Sequence, residues 1–320
     1  MALGAAVAIY AERGTIRSGL QLLEHVNLAW VFAAVGAEVI CMLAFAVLQA
    51  CLLRAGGAPI TVSWLLATAY RADVIASAVP VVGSGMATRY AYRQYRARGV
   101  DPTVAAVALT LAGVASTITF AVVVVVAALL SGNAAAAGGG LVGALGAIIA
   151  VATVVVALRS PLGQQRLITL ASWFIQRKQR VLRRPTGDPA QLVRTALHQL
   201  SRFRLTSVNI SLALTSSIVN WFADAACLVL SIRAIGLAIP WHTVLVAWSA
   251  GKAAGSLSPT PAGLGVVETA MIAALVATGL RAPDAIAAVI VYRVLTFKVV
   301  ITTIWCAFRP LIEHRKTRLA

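Results

Sequence analysis

Residues 28–53 read LAWVFAAVGAEVICMLAFAVLQACLL, an apolar run whose only charged residue is Glu38. About 20 apolar residues in a helix cross the roughly 30 Å hydrocarbon layer of a bilayer, so the run is long enough to span one. Trp30 lies near one end and Arg54 just beyond the other, which is typical of residues at membrane interfaces. This stretch predicts a transmembrane helix and thereby an all-α membrane fold.

Further apolar stretches flank this first span on its C-terminal side. The predicted spans are residues 103–131, 141–158, 206–234 and 283–309. The span at 103–131 follows Asp101-Pro102, which is a helix-start signal. Two other apolar stretches, residues 60–98 and 241–279, are each broken in the middle by Pro and Gly. The whole chain, residues 1–320, is predicted to form a single membrane domain.

Composition and charge agree with a membrane protein. Hydrophobic residues make up 60% of the chain and charged residues 12%, which excludes an ordinary soluble globule. The net charge of +17 would suggest a nucleic-acid partner in a soluble protein. Here the basic residues cluster between apolar stretches, so anionic lipid head groups are the predicted partner and nucleic acid is not.

Residues 159–205 carry ten basic residues against one acid, Asp188. By the positive-inside rule we expect this loop, and the basic C-terminal tail, to be cytoplasmic. Counting crossings outward from the loop gives the hairpins 60–98 and 241–279 opposite orientations. The count also places residues 12–27 outside, so the apolar residues 1–11 are interpreted as the end of a truncated further span.

The two broken stretches resemble each other. Residues 79–86 read VPVVGSGM and residues 258–266 read SPTPAGLGV, and Gly85 to Gly99 and Gly265 to Gly279 are both fourteen apart. We predict an inverted repeat of two re-entrant helical hairpins, an arrangement whose interface forms the site of many transporters. The predicted break residues are Pro80, Gly83, Gly85, Pro259, Pro261, Gly263 and Gly265.

Ionisable side chains inside the apolar stretches are the candidate functional residues, because charge in a bilayer is costly and usually faces a cavity or a partner. The candidates are Glu38, Asp73, Asp224, Lys252, Glu268 and Arg293. They either pair with one another to hold the bundle together or line a substrate path. Glu268 is the predicted partner of Arg293.

A polar stripe runs along the 206–234 span, with members at steps of 7, 4, 4 and 7: Asn209, Ser216, Asn220, Asp224 and Ser231. Such a stripe must face protein or water. Interhelical hydrogen bonds alone would satisfy it, but a polar cavity, with Asn220 among its binding residues, is the favoured interpretation.

The second break is a candidate anion site. Its prolines and glycines are predicted to leave N–H groups unpaired where the next helix begins, and such groups attract phosphate. Glu268, early in that helix, would then serve either as a structural cap or in the site. Arg89, the arginine nearest the first break, is a candidate phosphate ligand, whereas its neighbours Arg93 and Arg96 are predicted membrane anchors.

No enzymatic chemistry is predicted. The four histidines lie outside the span interiors without metal-ligand spacing, and the four cysteines form no C-x-x-C pair. We therefore expect neither a cofactor nor a metal.

The block SPTPAGLGVVE at 258–268, followed by Gly279 and Tyr292-Arg293, resembles the Pro-x-Pro-x-Gly-x-Gly-x-x-Glu block and later arginine of the lysylphosphatidylglycerol synthase transmembrane-region family. The earlier Pro80, Gly83, Gly85 and Arg89 resemble its first Pro-Gly block, although Met86 stands where that block often has an acid. Members are described as flippase-like membrane proteins. The resemblance covers residues 28–310 and implies two re-entrant hairpins and lipid movement between leaflets, without aminoacylation.

The leading hypothesis is a flippase or lipid-transport protein of the cell membrane for a phospholipid or glycolipid. Lys252, Arg293 and Arg89 would bind phosphate, while Glu268 and Asp224 would balance charge or bind a cationic group. One alternative is a non-transporting partner that presents lipid to a glycosyltransferase or another envelope enzyme, and a second is a small-solute transporter. A homo-oligomer or a complex with a membrane enzyme is compatible with each.

Overall fold

The computed structural model describes residues 26–79, 82–131, 206–239, 243–256 and 260–296, together with positions 21, 149, 241 and 258. Within these ranges the chain is helical and contains no β-strand, which confirms the all-α prediction. The helices are α1 (Leu28–Ala55), α2 (Val62–Ala78), α3 (Gly83–Ala97), α4 (Pro102–Leu130), α5 (Ser207–Ala234), α6 (Val244–Ser256), α7 (Val266–Ala277) and α8 (282–296). A short 3-10 helix, Pro261–Gly263, lies between α6 and α7.

Among the described residues, three helices are long and apolar enough to cross a membrane: α1, α4 and α5. They confirm the spans predicted at 28–53, 103–131 and 206–234. The predicted span 283–309 is helical over its described part, 283–296. Apart from position 149, the span 141–158, the basic loop 159–205 and the C-terminal tail lie outside the described residues. The single-domain assignment stays a prediction.

The long helices begin at side-chain caps. The Asp101 carboxylate accepts hydrogen bonds from the N–H groups of Thr103 at 2.8 Å and Val104 at 3.3 Å, and Pro102 occupies the first turn of α4. Proline suits this position because the first N–H groups of a helix have no intrahelical partner. The predicted Asp-Pro helix start is therefore confirmed. Asn27 and Thr206 cap α1 and α5 in the same manner.

Four helices end at a glycine with positive φ: α1 at Gly57, α3 at Gly99, α5 at Gly236 and α7 at Gly279. After α3 the N–H of Val100 bonds back to Tyr95 O at 3.2 Å, and after α7 the N–H of Leu280 bonds back to Leu275 O at 3.2 Å. This geometry is a Schellman motif, which favours glycine. Gly99 and Gly279, the second glycines of the two fourteen-residue spacings, therefore lie in the same kind of helix-ending turn.

α1 and α5 form an antiparallel pair at the centre of the bundle. Each has 28 residues, and the N–H of Asn27, before α1, bonds to Ala234 O at the end of α5 at 2.8 Å. Midway along both helices, the Asn220 amide donates to Cys41 O at 2.9 Å across a sequence separation of 179. The same separation relates the first residues of the two helices, Leu28 and Ser207.

Each broken stretch is a pair of shorter helices in contact, α2 with α3 and α6 with α7. In the second pair, Gly255 faces Val267 and Gly251 faces Met271, so that a Cβ at either glycine would meet these side chains. The pairing runs antiparallel, and the small residues allow close approach of the helices. The predicted interruptions of residues 60–98 and 241–279 are confirmed.

Two large apolar clusters fill the interior of the described part of the chain. One surrounds Trp248 and draws on α1 and on α4 to α8, and the other surrounds Tyr95 and draws on α1 to α5. Trp221 bridges α5 to α4, because its indole N–H donates to Ser116 O at 3.0 Å and its ring lies edge-on to Trp248. Large apolar side chains are also exposed, among them Phe32, Leu129, Val208 and Phe222, as suits helices that face lipid.

Candidate functional site

A cavity of about 540 Å³ lies among the helices and is bounded by both helix breaks. Ser77 and Ser84 line it on either side of the first break, and Ala262 lines it from the second. The 3-10 helix of the second break also contacts α2, so the two hairpins meet at this cavity. Its wall is mainly apolar, and charged side chains enter from α1, α2, α5, α6 and α8.

Asp224 of α5 is the best connected of these charged groups. One carboxylate oxygen accepts a hydrogen bond from the Tyr292 hydroxyl at 2.7 Å, and the other forms a salt bridge with Lys252 Nζ. Asp224 is buried, whereas the Lys252 side chain is 33% exposed. These contacts join α5 to α6 and α8. The polar stripe predicted along α5 faces inward at Ser216, Asp224 and Ser231, which are buried.

Glu268 and Arg293 form the ion pair predicted from the sequence. Arg293 Nε donates to Glu268 Oε1 at 2.6 Å, and an Arg293 Nη donates to Ala262 O at 2.8 Å. Arg293 therefore holds both the first turn of α7 and the break before it. Charge-assisted bonds of this kind are stronger than neutral ones. We name the three residues Ala262, Glu268 and Arg293 the clasp.

The start of α7 differs from the prediction. Unpaired N–H groups were predicted there, but the N–H of Gly265 donates to Glu268 Oε2 at 2.7 Å. Because Oε1 is bonded to Arg293, both oxygens of Glu268 are engaged. Glu268 is thus a structural cap, one of the two roles foreseen for it. At this N–H the prediction of a free anion site is wrong, because the carboxylate of Glu268 already accepts its hydrogen bond.

Ala262 has a positive φ of 52°, which L-residues seldom adopt, and Gly263 and Gly265 follow with φ values of 69° and 83°. Thr260 supports this backbone, since its hydroxyl donates to Leu264 O at 2.8 Å and lies 2.8 Å from the Ser258 hydroxyl. The second break is therefore a tightly fixed turn. Pro261 begins its 3-10 helix, whereas Pro259 lies outside the described residues.

The first break is built differently. Gly83 begins α3 where a Cβ would collide with Ala76 O, so glycine allows close approach there. Gly85 has open space around it and no positive φ. Pro80 lies outside the described residues. Arg89 is exposed on α3 and is not among the cavity-lining residues.

Glu38 and Asp73 also line the cavity, from α1 and α2. Glu38 is only 4% exposed, and its Oε2 atom has no hydrogen-bond partner in the part of the chain that the structure describes. Its electrostatic neighbours include Asp73, Asp224 and Lys252. The intramembrane charges were predicted either to pair or to line a path. Lys252, Asp224 and Arg293 are paired and also line the cavity, and a substrate path through the cavity stays a prediction.

Asn220 lines the cavity, but its amide also donates to the carbonyl and thiol of Cys41, at 2.9 and 3.0 Å. Its observed bonds therefore join α5 to α1. Cys41, Cys51 and Cys227 are buried free thiols. Among the described residues, no group of His, Cys, Asp and Glu has the arrangement needed to hold a metal ion.

Sequence reasoning missed several residues of the cavity wall. Gln49 lines the cavity and accepts a hydrogen bond from the Tyr95 hydroxyl at 2.6 Å. A helical periodicity was available as a signal, since Glu38, Cys41, Met42, Phe45 and Gln49 recur on one face of α1. The link from Tyr292 to Asp224 joins residues 68 positions apart, and no local pattern predicts it.

These features define a polytopic helical membrane protein with a charged internal cavity. A sequence model of the family described as the lysylphosphatidylglycerol synthase TM region matches residues 1–304. The chain belongs to this family, as its Pro-Gly block and later arginine predicted. No curated protein matches the chain.

Proposed function

We propose that this protein moves a lipid, a phospholipid or a glycolipid, between the leaflets of the cell membrane. The observation that carries the proposal is the cavity of about 540 Å³, charged and bounded by both helix breaks, in a chain of membrane helices. Its volume lies within the usual range of small-molecule sites, about 300–1,000 Å³. A head group would occupy the cavity while the acyl chains remain in lipid. The proposal assigns transport and no chemical reaction.

An inverted repeat would give such a protein two alternating states. The antiparallel pair α1 and α5 supports this repeat, because helices of equal length cross where equivalent residues, Cys41 and Asn220, touch. A two-fold axis in the membrane plane produces that kind of contact. The hairpins α2–α3 and α6–α7 would then be re-entrant from opposite sides, with the loop 159–205 and the C-terminus cytoplasmic.

The cavity cations would bind the lipid phosphate by exchanging partners. Arg293 and Lys252 are each paired with a carboxylate, so a phosphate would replace Glu268 or Asp224 as an acceptor. Guanidinium binds phosphate and carboxylate through the same planar geometry. Glu268 and Asp224, once released, would balance charge or bind a cationic part of the head group. Arg89, exposed on α3, would attract phosphate at the membrane surface.

The alternative is a membrane partner that presents lipid to an envelope enzyme without moving it. One observation favours it: the clasp and the Lys252–Asp224 bridge join α6, α7 and α8 to their neighbours, as a rigid scaffold needs. The two functions differ in whether these ion pairs must open. A scaffold tolerates their replacement by neutral partners of similar shape, whereas a transporter does not.

The test measures leaflet exchange of fluorescent anionic, zwitterionic and aminoacylated lipids in proteoliposomes. Wild type is compared with Glu268→Gln, Arg293→Gln and the double variant. Arg281→Gln is the matched control, because Arg281, just before α8, forms a bidentate pair with Asp284 in the first turn of that helix and does not line the cavity. The thermal midpoint of each variant in detergent identifies loss of folding.

We expect wild type and Arg281→Gln to exchange at least one lipid faster than empty vesicles do. The two clasp variants should lose most of that exchange while remaining folded, and the double variant should not recover it. Exchange no faster than in empty vesicles for all three lipids would contradict the proposal and favour the scaffold. Unchanged lipid exchange in the folded clasp variants would show that the clasp takes no part in transport.

A further inference from the structure

Glu38 stands apart from the other charged residues of the cavity. Arg293 is paired with Glu268 and Lys252 with Asp224, so both cationic side chains that line the cavity already have an acidic partner. Glu38 and Asp73 are the two remaining acids among the described cavity-lining residues. Asp73 is half-buried, but Glu38 is 4% exposed and its Oε2 lacks a hydrogen-bond partner.

The charged groups that act on Glu38 include two carboxylates, Asp73 and Asp224, and one ammonium group, that of Lys252. The titratable or charged groups around it are Asp73 on α2, Asp224 and Cys227 on α5, Lys252 on α6, Tyr292 and Arg293 on α8 and Cys41 on α1 itself. The described cavity-lining residues of α3 and α4 carry no ionisable group. An ionised carboxylate that is buried with an unbonded oxygen, beside other carboxylates, is strongly unfavourable. A bound positive charge removes this penalty.

We propose that Glu38 is a proton-binding site of the cavity and that its proton is exchanged during lipid movement; the second part rests on the proposed function. A proton fits better than a metal ion, because the carboxylates of the described residues do not converge in the arrangement a metal needs. Glu38 lies on α1, the helix that crosses α5 at the centre of the bundle, and it faces the cavity through which water would carry the proton.

Loss of this proton changes the neighbouring ion pair. The Glu38 carboxyl releases its proton to cavity water and becomes a carboxylate. Lys252, which already interacts electrostatically with Glu38, then has two competing acidic partners, Glu38 on α1 and Asp224 on α5. Because Lys252 belongs to α6, a shift between these partners moves the second hairpin relative to α5. Protonation of Glu38 restores the Lys252–Asp224 bridge.

The site can be tested without any transport assay. Dicyclohexylcarbodiimide adds covalently to protonated carboxyl groups in apolar surroundings, and mass spectrometry locates the adduct. The purified full chain in detergent is treated over a range of pH, with and without sodium ions. Glu268, paired with Arg293 in the clasp, is an internal comparison, and Asp73→Asn and Glu38→Gln are the variants.

We expect the reagent to modify Glu38 at least tenfold faster than Glu268, with a rate that falls as the pH rises. Sodium ions should not change the rate, Asp73→Asn should retain the adduct, and Glu38→Gln should lose it. Absence of an adduct at Glu38, or a rate independent of pH, would overturn the proton site. Protection by sodium would overturn it too, since the bound charge would then be a metal ion.

A second measurement tests the exchange of the proton during transport. A pH gradient across the proteoliposomes should change wild-type lipid exchange several-fold and leave Glu38→Gln insensitive. Modification of Glu38 without any lipid exchange would leave the proton site standing and contradict the proposed function. A rate of lipid exchange that does not change with the pH gradient would contradict the coupling of proton exchange to lipid movement and leave the proposed function intact.

Discussion

The two helix breaks come from similar sequences but are held in different ways. At the first, α3 begins where Gly83 touches the backbone of Ala76. At the second, three positive φ angles form a turn that Arg293 of α8 fastens through Ala262 O and Glu268. A repeated glycine pattern therefore specifies where a helix breaks, while the surrounding side chains decide how firmly the break is held.

A second difference concerns the charge that each hairpin brings to the cavity. Asp73 on α2 and Lys252 on α6 are separated by 179 residues, the separation that relates α1 to α5. Both line the cavity, but Lys252 bridges to buried Asp224, whereas Asp73 is half-buried. The two hairpins therefore contribute opposite charges to one cavity. If the proposed repeat holds, this single difference in residue type makes the cavity electrostatically asymmetric.

The largest expected effect concerns this pair of positions. Lys252→Met removes the salt bridge of buried Asp224, whose remaining partner among the described contacts is Tyr292. We expect this substitution to lower the free energy of unfolding by about 2–3 kcal/mol. Asp73→Asn should lower it by less than about 1 kcal/mol, because a half-buried carboxylate remains partly hydrated. Chemical unfolding in detergent micelles measures both. Equal losses would mean that the two positions are energetically equivalent.

The sequence predicted much of this fold because the decisive signals were local. Long apolar runs, Asp101-Pro102 and glycines such as Gly99 and Gly279 specify helices, their starts and their ends within a few residues. The Glu268–Arg293 pair was also predictable, since few other charges lie at that depth. The bond from Arg293 to Ala262 O was not, because it depends on a backbone turn that only the folded hairpin creates.

The second prediction separates the glycines of the two breaks. Gly83→Ala should destabilise by about 1–3 kcal/mol, because its Cβ meets backbone that cannot move aside, whereas Gly85→Ala should be nearly neutral in its open surroundings. At the second break both glycines are needed, since Gly263 and Gly265 have positive φ. Gly263→Ala should cost more than Gly265→Ala, because its Cβ would also collide with Val267.

Thermal midpoints of the four alanine variants in detergent provide the measurement. The thermal midpoint should be highest for Gly85→Ala and lower for Gly265→Ala. It should be lowest for Gly83→Ala and Gly263→Ala. A Gly85→Ala variant as unstable as Gly83→Ala would show that the two breaks share a requirement for both glycines. The close contact with Ala76 would then not explain the first break.

The smallest effect tests whether the clasp holds strained backbone. Ala262 has a φ of 52°, a conformation that costs an alanine roughly 1 kcal/mol relative to glycine. Ala262→Gly should therefore raise the stability slightly, by about 0.5–1 kcal/mol, while the carbonyl that accepts from Arg293 is kept. In an Arg293→Gln background the gain should persist, because it comes from backbone geometry and not from the ion pair. A loss of stability in either background would mean that the turn is unstrained, and the second break would then be rigid through its side chains alone.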